Sequence, residues 1–389
     1  MLKWIFRIVV ALAVILAVTA FTYRDRIERL LAVNSLFEAD RIVANFISMP
    51  DLFFSANLSR GDGPVSPLPE GQAIEMPAGY DDWVRERDLT ALVVLRDGEI
   101  VHEAYFQDTD ADDRRISWSV AKSYLSTVFG TAVDRGEIAS LDDPVTKYAP
   151  SLAGTAYDGA TIRHVLNMSS GVTFNEDYFD FSSDINRMGR VLALGRSMDA
   201  FAEDLTETFI EPGERFQYVS IDTHVLGMVL RGATGDSVVN LLTERVIKPL
   251  GLEQDGVYLT DGYGVAFALG GLNFTTRDYA RFGQMVLDGG TWQGERIISQ
   301  DWLTEATRAS ANTADGALHY GYQWWMPRDI DPTDPDHEYM GIGIYGQYLY
   351  INPAEGVVIA QNGADPSFQQ AGALDEHVAM WRQIAATRP

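Results

Sequence analysis

Between Ile8 and Phe21 every residue except Thr19 is apolar, and Lys3 and Arg7 precede the run. Such a pattern predicts a membrane-directed helix. It reads either as an uncleaved anchor from Trp4 to Tyr23, with interfacial aromatics at both ends, or as a signal peptide with Val18-Thr19-Ala20 as its small-residue cleavage site. A buried N-terminal core helix is the alternative. Arg24, Arg26 and Arg29 follow the run, and no cysteine follows it, which excludes a lipoprotein. From Arg26 to Ile47 apolar residues recur every three or four positions, predicting an amphipathic helix that rides on the body of the protein or on a membrane surface. Arg60 to Gly79 is rich in proline and glycine without periodicity, and reads as a linker or a wrapped extended segment.

The remainder changes period. Ala91–Leu95 and Ile100–Phe106 are β-rich runs joined through Asp97-Gly98, and Gln347–Ile351 and Val357–Gln361 form a second such pair. A helical pattern from Phe368 to Ala386 ends the chain. Strands near both ends, with mostly helical sequence between, predict an α+β fold. In this α/β sandwich an antiparallel sheet is built from both chain ends and flanked by helices, with a mostly helical inserted lobe and an N-terminal transmembrane helix. The expected division is 1–23 for the membrane anchor or signal segment, 24–80 for a juxtamembrane helix and linker, and 81–389 for the main domain.

Composition narrows the function. At 389 residues, with 46% hydrophobic and 22% charged positions, the chain is an ordinary folded protein with enough apolar sequence for a sizeable core. The balance of 30 basic against 55 acidic residues leaves −25, which repels phosphate backbones and excludes nucleic acid as a partner. Cysteine is absent, removing disulfides, thiolate nucleophiles and cysteine metal sites. No cofactor and no metal site is expected.

Three elements carry chemistry. Ser119-Val120-Ala121-Lys122 opens a helical pattern, so serine and lysine share a face. A serine hydroxyl needs a base, and a lysine serves as one only when burial or nearby cations lower its pKa from about 10.4. By itself Ser-x-x-Lys is a common chance spacing, equally read as a surface serine and a solvated lysine. Tyr218 and Ser220 follow the turn Pro212-Gly213 on one side of an extended backbone, where a tyrosine beside a lysine relays protons; the bland reading is a core tyrosine. Gly341-Ile342-Gly343-Ile344-Tyr345-Gly346-Gln347 places glycines where a strand lets a substrate approach its backbone, with N–H groups available to an oxyanion.

In this order the three elements resemble the β-lactamase-related serine hydrolases: class C β-lactamases, DD-peptidases, esterases and 6-aminohexanoate-dimer hydrolases. Leu141–Val145, Thr161–Gly171, Gly270-Gly271-Leu272 and Tyr320–Trp325 extend the resemblance from about Trp83 to the C-terminus. It implies that Ser119 is acylated, that Lys122 is its general base, that Tyr218 relays the proton, and that Ser220 is the polar partner. It implies an oxyanion hole from the N–H groups of Ser119 and Gln347. The substrate is then a small ester or amide and the enzyme an esterase or amidase; the N-terminal segment predicts an inner-membrane-anchored protein with a periplasmic catalytic domain, or a secreted one if that segment is cleaved.

One departure bears on substrate. β-Lactam and D-Ala-D-Ala enzymes of the family carry Lys-Thr-Gly or a histidine variant on the third strand; here Ile344-Tyr345-Gly346 stands there. Losing that cation removes a charge-assisted hydrogen bond to a substrate carboxylate, about 1.5–3 kcal/mol. Gly-x-Tyr-Gly-Gln with Glu176-Asp177-Tyr178 is similar to the 6-aminohexanoate-dimer hydrolase branch, which implies that Tyr178 contacts the scissile group. DD-peptidase or β-lactamase action and a non-catalytic binding protein are the alternatives. His164 is read as structural, Asp331–Glu338 as a solvated loop, and Met168, Met228 and Met285 as core.

Overall fold

The computed structural model describes residues 2–389, apart from the side chains of Leu2, Ala17 and Ala20. The chain opens with α1 (Leu2–Thr22), α2 (Arg24–Ser35), α3 (Ile42–Ile47) and a single helical turn, Met49–Leu52, before strand β1 (Ser55–Leu58) and the hairpin β2 (Leu89–Arg96) and β3 (Glu99–Tyr105). The middle of the chain supplies β4 (Arg115–Ile116), α4 (Ala121–Asp134), α5 (Asp184–Ala193), α6 (Ser220–Thr234), β5 (Gly256–Leu259), β6 (Leu272–Phe274) and α7 (Thr276–Leu287). Strands β7 (His319–Tyr320), β8 (Trp325–Met326), β9 (Tyr339–Gly343), β10 (Gln347–Asn352) and β11 (Val357–Gly363) lead to α8 (Ala373–Ala386).

The main sheet has seven strands in the order β3-β2-β11-β10-β9-β8-β7, all antiparallel. Strands from the two ends of the chain meet at its centre, where Val358 pairs with Leu95 and Ala360 with Val93. Because side chains alternate across a strand, each central strand feeds two cores. Val93, Leu95, Leu349, Ile351, Val358 and Ala360 pack with α4 and α7, including Phe129, Phe282 and Met285. Leu92, Val94, Tyr348, Tyr350, Val357 and Ile359 pack on the other face against Val378, Trp381 and Ile384 of α8. Every residue of β2 is therefore buried, which explains why Ala91–Leu95 within it is a continuous apolar run rather than an alternation. A smaller antiparallel sheet, β1-β5-β6-β4, lies beside the first core.

The expected membrane helix is corrected. Among the described residues no helix is long and apolar enough to cross a membrane. The physical reason is length: α1 has 21 residues, but Lys3 and Arg7 occupy its first two turns. The uncharged stretch Ile8–Thr22 then spans about 22 Å at 1.5 Å per residue, against about 30 Å of hydrocarbon. The transmembrane part of the expected fold and the inner-membrane anchoring are overturned with it, and the expected membrane partnership is left without support.

The periodic stretch from Arg26 to Ile47 is two helices rather than one. The chain turns between Ser35 and Ile42, and Asn45 donates to the carbonyls of Ser35 (3.2 Å) and Leu36 (3.0 Å), satisfying the open end of α2. Leu36, Ile42 and Phe46 are buried in the first core. Residues 60–79 run extended over the body, with Ser66 N–H bonded to Gly251 O (2.8 Å) and Gly71 N–H to Ile100 O (2.9 Å). The final helix begins at Ala373, after Gly372 in the left-handed region, so Phe368 is left outside it. The stretch Asp331–Glu338 is exposed except at its end: Glu338 is buried and accepts from Arg382 Nε at 2.7 Å and from the Tyr350 hydroxyl. Its two basic and phenolic partners override the polarity of the sequence around it.

Helix α6, whose first residue is Ser220, packs its far end against the backbone of Tyr148. A Cβ placed on Gly232 would lie 1.7 Å from the Tyr148 carbonyl oxygen, and backbone on both sides cannot yield cheaply. Gly232→Ala is expected to lower stability by about 2–3 kcal/mol through overpacking, seen as a lower urea midpoint at unchanged slope. A wild-type midpoint would show that the two segments separate more easily than this packing implies.

Candidate active site

Ser119 lies in a 3-10 turn, Trp118–Val120, that feeds α4. The turn is strained: Trp118 has φ +42, a conformation that costs a bulky residue of order 1–3 kcal/mol and persists only where packing enforces it. The enforcement is aromatic. The Trp118 ring lies 5.6 Å from Phe46 and 5.7 Å from Phe37. Strand β9 presses on the turn from the other side, so closely that a Cβ on Gly343 would sit 2.5 Å from Ser117 O and 3.2 Å from Ser119 N. Only glycine lets the strand approach the serine amide at this distance.

One helical turn on, Lys122 is 2% exposed. Its Nζ lies 2.9 Å from Ser119 Oγ, 3.2 Å from Ser220 Oγ and 2.8 Å from Leu269 O. Burial lowers its pKa to about 7, with the Glu176 carboxylate acting in the opposite direction. Ser220 in turn donates to Glu176 Oε1 at 2.5 Å, while its backbone N–H donates to Glu176 Oε2 at 2.9 Å. Since the Ser220 proton is committed to Glu176, its oxygen is free to accept from Lys122. A neutral amine has two N–H groups and one lone pair. With Leu269 O and Ser220 Oγ taking the N–H groups, the lone pair is left facing Ser119.

Tyr218 stands beside the lysine, its ring centroid 5.2 Å from Nζ. Burial and then the Glu176 charge raise its pKa, opposed by the Ser119 and Ser220 hydroxyls beside it. Ser220 is not part of the extended segment that its spacing from Tyr218 predicts. The extended residue is Val219, and Ser220 is the first residue of α6, where the Glu176 carboxylate meets the helix N-terminus. Tyr178 donates to Glu176 at 2.7 Å and, like Tyr218, has its pKa raised by burial.

The glycine-rich element divides. Tyr345 adopts φ +58 and Gly346 φ +90, turning the chain from β9 into β10. The Tyr345 ring stacks on Phe37 at 4.5 Å and touches Phe368 at 4.8 Å. Gln347 is 1% exposed, and its amide nitrogen donates to Gly363 O at 2.7 Å and to Tyr345 O at 3.1 Å while its oxygen accepts from Asn362. The side chain thus braces β10 to β11 from behind. Ile344 reaches the cleft beside Ser119, lining it on both sides.

Sequence reasoning missed Glu176, Leu269 and Ile344 as members of this cluster. Glu176 was visible only as part of Glu-Asp-Tyr; a backbone carbonyl such as that of Leu269 leaves no residue-type signal at all. Asp222, wholly buried on α6, accepts from Tyr157 (2.7 Å) and Ser170 (2.8 Å), tying the Asn167–Gly171 segment to the helix that carries Ser220. His164 closes a capping box with Thr161 and faces no part of the cluster. Among the described residues no group of three His, Asp or Glu side chains is placed to hold a metal ion.

The Glu176 carboxylate favours the charged form of Lys122, so its neutralisation must favour the free amine. Glu176→Gln is expected to move the Lys122 titration below about 7, measured by NMR of the lysine Cε resonance. A midpoint that stays put or rises would mean that the carboxylate is not felt at Nζ.

Comparison with known proteins agrees with this architecture. The Beta-lactamase family model matches residues 84–378. The chain is 32% identical over 340 residues to the 6-aminohexanoate-dimer hydrolase of Paenarthrobacter ureafaciens, covering 82% of this chain and 85% of that protein. It is 30% identical over 207 residues to esterase EstB of Burkholderia gladioli, covering 47% and 51%. A solved Bacillus anthracis structure described as a 6-aminohexanoate-dimer hydrolase superposes with a TM-score of 0.77 at 21% identity, over 90% of this chain and 95% of that one. A strained serine turn, a buried lysine one turn later and a family match over most of the chain lead to one assignment: this protein is a serine hydrolase of the Beta-lactamase family.

Proposed function

We propose that the protein hydrolyses uncharged or weakly charged esters or linear amides through an acyl-enzyme on Ser119, its catalytic unit being residues 81–389. The observation that carries this reading is the buried Lys122 amine, 2.9 Å from Ser119 Oγ with its pKa lowered to about 7. In the neutral form it takes the Ser119 proton as Oγ bonds to the substrate carbonyl carbon. The backbone N–H of Ser119 and an N–H of the third motif receive the oxyanion. Gln347 was the expected second donor; the approach of Gly343 to Ser119 N supports the amide of Ile344 for that role.

Collapse of the tetrahedral intermediate breaks the bond to the leaving alcohol or amine, which takes its proton from Lys122 by way of Tyr218. Tyr218 suits a relay because it stays protonated: burial raises its pKa, so it passes a proton on without resting as an anion. Water then attacks the acyl-enzyme as Lys122 takes one of its protons; collapse breaks the bond to Ser119 Oγ, which recovers that proton from Lys122 as the acid departs. Ser220 and Glu176 are positioning residues that orient the amine, and Tyr178 flanks the scissile group at the edge of the cleft.

The preference for esters and linear amides over β-lactams rests on charge. The cleft on the Tyr218 side is lined by Glu176, Leu318, Trp325, Phe368 and other residues without a lysine, arginine or histidine among them. A substrate carboxylate finds no partner there and is repelled by Glu176. The relatives include a hydrolase of the 6-aminohexanoate dimer and an esterase, which agrees with this choice.

Purified protein is expected to turn over p-nitrophenyl acetate, and Ser119→Ala and Lys122→Ala each to lose on the order of 10³-fold or more in kcat. A chromogenic cephalosporin should be left intact. Cephalosporin turnover would favour the β-lactamase or DD-peptidase reading, and a folded protein inert to ester and to a fluorophosphonate would favour a binding protein.

The pH profile has a defined sign. The reactive lysine is the neutral one, so kcat/KM should rise through pH about 7 to a plateau above it. A profile flat between pH 5.5 and 9 would remove Lys122 as the base.

A further inference from the structure

Ser119 sits where two cavities meet. One, of about 270 Å³, is bounded by α2 and α5; the other, of about 410 Å³, contains Tyr218. Their walls share Ser119, Tyr178 and Ile344. The argument that follows rests on Ser119 as the acylated atom and Tyr218 as the relay. A relay must reach the leaving atom, so the leaving group belongs in the cavity that Tyr218 lines. The acyl chain, attached to the other side of the same carbonyl carbon, is directed into the cavity that Tyr218 does not line.

That cavity is mainly apolar, with Asn34 and Asn186 as its neutral amide side chains away from Ser119 and Ser220. Val33, Leu36 and Phe37 of the N-terminal segment form one wall, and Ile185, Met188 and Gly189 of α5 form the facing wall. No carboxylate lines it among the described residues. The one cation on its wall, Arg190, lies 4.1 Å over the Phe181 ring. Phe179 and Phe181 stand at the rim, 66% and 68% exposed, an arrangement that lowers the cost of desolvating an apolar chain as it enters. An acyl chain ending in an ammonium, such as a 6-aminohexanoyl group, would meet no opposite charge inside and only the neutral amides of Asn34 and Asn186 to offset its lost hydration.

We infer that this cavity is the acyl pocket of the enzyme and that it selects an uncharged aliphatic acyl chain. The wall from Val33 to Phe37 precedes the residues that the family model matches, 84–378. Acyl specificity is therefore set in part by a segment outside the common hydrolase fold. The same segment is fixed in place by the Phe37–Tyr345 stack and by the burial of Leu36, so the wall is rigid against the third motif.

The test uses the full chain and p-nitrophenyl esters of acetate, hexanoate and 6-aminohexanoate. The wild type is expected to prefer hexanoate to acetate, and hexanoate to 6-aminohexanoate, each by on the order of tenfold or more in kcat/KM. Two variants fill the pocket from opposite walls. Gly189→Leu is tolerable because a Cβ there has Val33 Cγ2 as its nearest neighbour at 3.9 Å, and Val33→Trp enters from α2. Both are checked for an intact site by fluorophosphonate labelling of Ser119. Either should bring the hexanoate-to-acetate ratio towards one. Ser119-dependent turnover with a flat chain-length profile, or with a ratio that neither labelled variant alters, would overturn the pocket assignment while leaving the hydrolase reading intact. With methyl, butyl and hexyl acetate as a second series, a dependence on alcohol length that the same two variants abolish would overturn the choice of sides. Ester turnover that survives Ser119→Ala would sink the hydrolase reading, and this assignment with it.

Discussion

A buried lysine amine held between a serine hydroxyl, a second serine and a backbone carbonyl is the constraint around which this molecule is organised. Lys122 reaches Ser119, Ser220 and Leu269 O within 3.2 Å, and burial disfavours its charged form. The Glu176 carboxylate limits that effect and holds the Ser220 proton, which decides the direction of every hydrogen bond in the chain. Each partner comes from a different part of the sequence, so the amine is set up only when α4, α6, the 176 loop and the segment before β6 have all docked. Chemistry and packing are linked here: any shift of α6 relative to α4 changes both the burial of the amine and the acceptor it faces.

The seven-stranded sheet supplies the rigidity that this arrangement needs. Its central strands are buried on both faces, and the alternation of side chains commits each to two cores at once. A register slip by one residue would exchange the two sets of side chains, so the position of β9 is closely determined. That position matters because β9 ends against the serine turn, where Gly343 and the left-handed Trp118 tolerate an approach that larger side chains or a relaxed turn would prevent. The aromatic cluster of Phe37, Phe46, Trp118 and Tyr345 closes the far side. The N-terminal segment thereby becomes a structural part of the cleft although it precedes the family's common region.

Much of this was legible in the order of motifs. Ser-x-x-Lys at a helix start, Tyr-x-Ser after a Pro-Gly turn and a glycine-rich strand entry each have bland readings; together they indicate one site, and the structure brings Ser119, Lys122, Tyr218 and Ser220 together. The paired β-rich runs around Asp97-Gly98 and Asn352–Gly356 are hairpins of the main sheet. The N-terminal run misled for a simple reason. Hydrophobicity over Ile8–Phe21 resembles a span, but the length free of charge is too short for the bilayer core. Gln347 was expected to offer its backbone N–H to the oxyanion; the motif gave no sign that its side chain is bonded behind the sheet to Gly363 O.

The sequence by itself determined residue types at periodic and motif positions: a two-ended sheet, a serine and lysine on one helix face, and the absence of a cation on the third strand. These are local properties, set by helix and strand periods and by side-chain chemistry. Tertiary structure decided what depends on distance between remote segments. It made Glu176 the acceptor of the Ser220 proton, it made Leu269 O the anchor of Lys122, and it turned residues 33–37 into a wall of the cleft. Burial and hydrogen-bond direction arise only when separate segments exclude water from the same volume, and no spacing within one segment carries that information.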